Sequence, residues 1–205
     1  GEALPSISQV SKMTLQTRTS HSLPGTKVIC EGGKIKSLSE IGCPVGTEVE
    51  VKHLFSKIPV KRKVLKTIRS ELRYALNHFL RLSLSHPTIS FKFIHDGRTL
   101  QEHLKTESPS VRIEAIFGKE IYRHLQPIGF KEGEIRISGF ASLPSLSKRN
   151  AEGIYFYVNQ RFVKDRMIYK AILDAYRHVL PSQQFPVVVL FITIAPSTVD
   201  VNVHP

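Results

Sequence analysis

Residues 154–170 read IYFYVNQRFVKDRMIYK. The aromatic and β-branched run Tyr155 to Val158 predicts a strand that ends at Asn159-Gln160. Arg161, Lys164 and Arg166 follow at once, with Lys170 one helical turn further on. Behind this cationic turn, Ile168, Ala171, Ile172, Ala175, Tyr176 and Val179 recur at spacings of mostly three and four, which predicts a helix. Phe185 to Ala195 is then almost entirely apolar and rich in β-branched residues, as a central strand buried on both faces requires. Strand, corner, helix and strand make a βαβ unit, so the two strands should run parallel. A rigid strand and a rigid helix thus present a basic corner, which reads as a binding site for nucleic-acid phosphates. The competing reading is a solvated turn whose charges bind nothing.

Composition favours the first reading. The chain has 205 residues, 41% hydrophobic and 22% charged, with a net charge of +12. That is a globular balance, enough for one large or two small cores. So strong a positive excess, with a pI near 9.9, suits a polyanionic partner. The two cysteines, Cys30 and Cys43, are too few for a disulfide scaffold and read as reduced thiols of an intracellular protein. Val187 to Ile194, the longest nearly apolar run, is under half of the ~20 residues that a membrane span needs. No membrane partner is expected.

Upstream of the corner the pattern is mixed. Alternation from Met13 predicts a strand. Lys27 to Cys30 and Lys34 to Leu38 predict a hairpin around Gly32-Gly33, and Thr47 to Val51 alternates cleanly. Pro59 suits a first helical position, and from there Val64, Leu65, Ile68, Leu72, Ala75, Leu76 and Phe79 predict one long helix. Its opposite face carries Arg62, Lys66, Arg69, Arg73 and Arg81, with Glu71 the lone acid between Ile58 and His95. Surface helices usually mix signs, so this stripe is read as turned to an anion, with a solvated face as the alternative. Asp96-Gly97 closes a further hairpin. KTESP at 105–109 reads as a domain boundary, giving domains 1–108 and 109–205. Ser110 to Phe117 and Lys119 to Leu125 read as helical turns, Glu134 to Phe140 as a strand, and Ser142 to Gly153 as a loop whose Lys148-Arg149 add charge near the corner.

No catalytic constellation is complete. The chain has no Gly-x-Ser-x-Gly elbow, no His-Glu-x-x-His and no Walker A loop. Cysteine and histidine spacing gives no metal site. Glu48 with Glu50 and Asp200 with His204 read as surface pairs. The residues alone describe a basic two-part α+β protein.

Four strings resemble one family. GEAL at 1–4, VGTEVEVKHLFSKIPVKRKVLK at 45–66, FYVNQRFVKDRMI at 156–168 and VDVNVHP at 199–205 are similar, in order and spacing, to blocks of the MutL family of DNA mismatch repair proteins, the bacterial form above all. The resemblance implies the later part of a GHKL-type ATPase domain in 1–108. A ribosomal-protein-like transducer domain, cut short, follows in 109–205. Gly1, Glu2, Ala3 and Leu4 would end the ATP lid, and Gly46 and Thr47 would be the family's GT motif beside the adenine. Arg161 and Arg166 match arginines on the DNA-facing side. With Lys164, Lys170, Arg62, Lys66 and Arg69 they form the expected DNA-binding set. ATP and Mg would serve the full-length protein, with neither held tightly by this chain.

The implied partners are DNA, a MutS-type mismatch sensor, a helicase or nicking endonuclease, and a second copy in the full-length protein. The implied setting is the bacterial cytoplasm near the nucleoid. A type II topoisomerase ATPase subunit and a basic RNA-binding domain are the alternatives, and YVNQR with VDVNVHP favours MutL over the first. Gln160 stands where the family has Gly, Lys57-Ile58 where it has Asn-Thr, and Lys61 where it has Arg. The chain starts without Met and stops straight after an alternating run, so it is expected to be part of a longer protein. The family's catalytic Glu, Mg-binding Asn and phosphate-reaching Lys would lie outside it. The resemblance therefore implies that the chain alone hydrolyses no ATP. Turnover above background in a phosphate-release assay would overturn this.

Overall fold

A computed structural model describes residues 2–198. The chain forms two compact units, residues 1–71 and 72–205. The first opens on helix α1 (Ala3–Gln9). A four-stranded antiparallel sheet follows, made of β1 (Lys12–Arg18), β2 (Gly25–Glu31), β3 (Lys34–Ile41) and β4 (Gly46–Lys52), in the order β3-β2-β1-β4. The β2–β3 turn uses Gly32 and Gly33 at φ 59° and 77°, the left-handed conformations that the adjacent glycines predict.

The predicted long helix is two helices, α2 (Pro59–Val64) and α3 (Ile68–Ser85). Leu65 leaves the helical region with ψ 132°. Thr67 then starts a new helix. Its hydroxyl accepts from the Ser70 N–H at 3.3 Å, and the Glu71 carboxylate accepts from the Lys66 N–H at 2.9 Å. This reciprocal arrangement satisfies donors that a continuing helix would have used. The expected apolar stripe is correspondingly not a core at its start, where Ile68 is 80% exposed. The two units meet in sequence within α3, between Glu71 and Leu72.

In the second unit the end of α3 leads to the hairpin β5 (Phe91–His95) and β6 (Arg98–His103). Asp96 and Gly97 turn it at φ 47° and 72°. Helices α4 (Pro109–Phe117) and α5 (Lys119–Tyr122) follow, then β7 (Leu125–Glu132), β8 (Ile135–Ser142), β9 (Ile154–Val158), β10 (Arg161–Phe162), helix α6 (Arg166–Tyr176) and β11 (Val188–Thr193). The sheet runs β10-β9-β11-β8-β7. β9 and β11 pair in parallel, as the βαβ pattern predicts, and β11 is the central strand. Sequence reasoning missed β7. Pro127 and Gly129 disguise it, and Pro is tolerated because β7 is an edge strand. Gly139 of β8 lies so close to β11 that a Cβ there would collide with the Val189 carbonyl.

Alternation along the strands separates two cores. Tyr155, Tyr157, Val187 and Val189 pack with Leu84, Ile113 and Leu125. Ile154, Phe156, Val188 and Leu190 pack against Ile172 of α6.

One buried polar cluster joins the end of α3 to β6 and α4. Arg112 is 1% exposed. Its guanidinium donates to the carbonyls of Pro87, Ile89 and Leu104 at 2.8, 2.8 and 2.9 Å, and to the Ser83 hydroxyl. His103 Nδ1 lies 2.7 Å from the same hydroxyl, and His103 Nε2 is buried with no hydrogen-bond partner among the described residues. Charge-assisted bonds of this kind contribute about 1.5–3 kcal/mol each, and their buried acceptors are costly to orphan. Arg112→Met is therefore expected to lower unfolding stability by about 3 kcal/mol, read as a shift of the urea midpoint. Burial, and then the nearby Arg112, depress the His103 pKa. The folded state thus keeps His103 neutral while the unfolded chain takes up a proton below about pH 6.5. His103 destabilises the fold progressively as pH drops through that value. Urea titrations between pH 8 and 5 should show a steeper loss for wild type than for His103→Asn, and parallel curves would overturn the assignment.

Candidate nucleic-acid interface

The basic corner is built from backbone constraints upward. Asn159 and Gln160 turn the chain at φ 47° and 67°, so β10 folds back on β9 as a tight hairpin. The sequence reading had a simple turn here. Both φ values lie in the left-handed region, where a non-glycine side chain is strained, and Asn159 offsets this. Its side chain donates to the Ile194 carbonyl at 3.0 Å and accepts from the Ile194 N–H at 3.1 Å. The turn is thereby fastened to the chain just past β11.

Asp165 starts α6. Its Oδ1 accepts from the N–H groups of Met167 and Ile168, both at 2.9 Å. This cap fixes where the helix begins, and so where Arg166 projects. Arg161, Lys164, Arg166 and Lys170 are all exposed. Lys164 and Arg166 line an open cleft of about 400 Å³. The third cation there is Arg81, from the end of α3. Its guanidinium sits 4.2 Å from the centre of the Phe162 ring, a cation–π contact. Its backbone carbonyl accepts from the Tyr157 hydroxyl at 3.0 Å. Burial raises the Tyr157 pKa well above the usual phenol range, so that hydroxyl stays protonated and keeps donating. Among the described residues Asp165 is the one carboxylate lining the cleft, and two backbone donors already engage it.

Sequence reasoning saw Arg81 only as the last member of a helical stripe. Its partners Tyr157 and Phe162 are remote in sequence, and no local pattern announces such a meeting. The other expected DNA contacts do not form a continuous row. Arg62 lies on α2, Lys66 in the break and Arg69 on α3, all exposed and all in the first unit. The Lys148 ammonium lies 5.9 Å from the Phe117 ring centre.

The residues expected to hold a nucleotide are spread out. Gly1, like the VDVNVHP string with Asp200 and His204, lies outside the described residues. Glu2, Ala3 and Leu4 are exposed at the start of α1. The other end of α1 contacts Gly33 beside the Lys12 end of β1, whereas Gly46 and Thr47 pair with Arg18 and Thr17 at its opposite end. There an open pocket of about 250 Å³ is lined by Gln16, Cys43, Gly46, Thr47 and Glu48, among others. Thr17 Oγ1 donates to the Gly46 carbonyl at 3.2 Å and lies 2.8 Å from Thr47 Oγ1. With the Thr17 proton so engaged, Thr47 donates to Thr17 and its own oxygen remains able to accept from a ligand. Hydroxyl and carbonyl groups without a lysine or arginine fit the nucleoside end of a nucleotide, not its phosphates.

The comparisons with known proteins bear on the family and the fold. The family "DNA mismatch repair protein, C-terminal domain" matches residues 113–205. The DNA mismatch repair protein MutL of Geobacter sp. (strain M21) is 40% identical over all of this chain. The chain spans about a third of that relative's length, 31%. The structure of the Aquifex aeolicus MutL ATPase domain complexed with ADP superposes with a TM-score of 0.75 at 31% identity, over 95% of this chain and 72% of that one. The B-subunit of the DNA gyrase from Myxococcus xanthus shares the fold alone, with a TM-score of 0.57 at 11% identity over 98% of this chain and 61% of that one. By these likenesses, the chain belongs to the MutL family of DNA mismatch repair proteins.

Proposed function

We propose that this chain supplies the DNA-contacting part of a mismatch repair mediator, and that the corner at 154–170 is its main contact. The observation that carries the proposal is the gathering of Arg81, Lys164 and Arg166 around one open cleft, with Arg161 and Lys170 exposed nearby. Cations on a capped helix and a pinned hairpin are held ready for phosphates. Contacts to phosphate do not read bases, so binding should tolerate any sequence and weaken steeply with salt. A mediator that loads wherever a mismatch occurs requires that mode.

In the full-length protein, ATP would bind with Thr47 at the nucleoside end. Dimerisation of the N-terminal regions would then couple a MutS-type sensor to strand nicking and excision, in the bacterial cytoplasm near the nucleoid. Residues 1–108 would complete the ATPase domain and 109–205 would begin the transducer. The bound nucleotide would supply the free energy for closure. Arg62, Lys66 and Arg69 would extend the DNA surface as a secondary contact.

Fluorescence anisotropy of a short labelled duplex at several salt concentrations tests this. Arg166→Glu should weaken binding by about tenfold at low salt and flatten the salt slope by about one unit or more. Arg69→Glu should cost less. An equal or larger loss at Arg69 would move the main contact to the first unit. Wild-type binding that ignores salt would remove the phosphate reading altogether.

A further inference from the structure

The tip of the β9–β10 hairpin carries a side chain that the fold does not use. Two residues, Asn159 and Gln160, join the paired ends Val158 and Arg161, and both have positive φ, 47° and 67°. Such turns favour Asn-Gly, because glycine takes the second position without strain. The MutL family pattern has Gly there, and this chain has Gln. Asn159 offsets its own strain through two bonds to Ile194. Gln160 has no such compensation. It is exposed, and its side chain makes no hydrogen bond among the described residues. We infer that Gln160 is a base-reading contact, whose amide meets adenine edges in the major groove of a duplex while the neighbouring cations hold the phosphates. The inference rests on the DNA-binding reading above and adds a residue with a sequence preference to it.

Strain alone does not single out Gln160, since the exposed Gln183 has φ 62°. Its neighbours do. The exposed Arg161 stands next in the chain, followed by Lys164 and Arg166. Those cations donate hydrogen bonds and accept none, so they suit phosphates. A carboxamide both donates and accepts. Adenine presents one acceptor and one donor on its major-groove edge, N7 and the 6-amino group, and a glutamine amide pairs with both at once. The major groove is also wide enough to admit two paired strands, so the turned end of β9 and β10 fits its width. The clamp on Ile194 holds the turn in place, so little conformational freedom is lost on contact. Binding then remains open to any sequence through the cations, with a modest gain where adenine faces the turn.

The test measures binding of the full-length protein to two labelled A·T duplexes of equal length by anisotropy over a range of salt. One contains adenine and the other 7-deazaadenine, in which carbon replaces N7. Wild type should bind the adenine duplex about three-fold tighter or more. Gln160→Gly should lower that affinity to the level of the 7-deaza duplex, with the salt slope unchanged because no charge is lost. Gln160→Asn keeps an amide and tolerates positive φ, so it should retain part of the preference. Gln160→Gly and Gln183→Gly should both raise the unfolding temperature, but Gln183→Gly should bind DNA as wild type does. Equal affinity of the wild type for the two duplexes, with a steep salt slope, would overturn the base contact and leave the phosphate corner standing. A flattened slope in Gln160→Gly would assign the residue to holding Arg161, and a lower unfolding temperature would assign it to the fold. Either result overturns the inference. Failure of the wild type to bind either duplex would overturn both readings.

Discussion

The parallel pairing of β9 with β11 is the constraint on which the second unit depends. Parallel strands cannot be joined by a tight turn, so the chain must cross over, and α6 is that crossover. Before α6 begins, β10 folds back along β9, and the Val163 N–H reaches the Phe156 carbonyl. The residues between strand and helix then have to run along the sheet's β9 edge. Cations placed in that interval are carried by two rigid elements at once. The same pairing makes β11 central and explains why its residues are apolar on both faces, with Val189 in one core and Val188 and Leu190 in the other.

Side chains that bond to backbone hold the pieces this pairing does not reach. Asn159 fastens the β9–β10 turn to Ile194, Tyr157 holds the end of α3 through the Arg81 carbonyl, and Tyr176 donates to the Ser142 carbonyl at 2.6 Å. Arg112 gathers three loop carbonyls that no strand or helix could satisfy. The Asn159 and Arg112 bonds serve irregular chain, whose backbone groups must find a partner. The site inherits this rigidity, because Arg81 is positioned through its own carbonyl and through Phe162.

Elements announced by local chemistry were legible in the sequence. The βαβ unit, the glycine hairpin at Gly32-Gly33 and the turn at Asp96-Gly97 all follow from residue pattern alone. Arg166 stands at the corner as its position between strand and helix requires. Elements decided by competition were not. The stretch from Pro59 has helical periodicity throughout, yet Thr67 and Glu71 cap a second helix and win over continuation at Leu65. β7 contains Pro127 and Gly129, which argue against a strand everywhere except at a sheet edge. Arg81 entered the site through contacts distant in sequence, and no window of local pattern spans such a separation. Asn159 was legible as a turn residue, but its clamp on Ile194 was not, since that requires knowing that β11 lies alongside.

The cap at Asp165 also bears on how the proposed contact at the corner would hold an anion. A helix N-terminus attracts phosphate through unpaired N–H groups and the positive end of its dipole. At α6 two of those donors, the Met167 and Ile168 N–H groups, are already engaged by the Asp165 carboxylate, which also carries a compensating negative charge. The helix end is therefore a weaker attractant than an uncapped one. What remains is an array of side-chain charges, Arg81, Lys164 and Arg166 at the cleft with Arg161 and Lys170 exposed on neighbouring elements. A backbone nest grips one phosphate in one geometry. Long basic side chains instead follow a phosphate backbone as it passes, at the cost of losing their hold when salt screens them. The acidic residue thus fixes the helix and leaves the cations free of it, which suits the sequence-tolerant DNA contact proposed above.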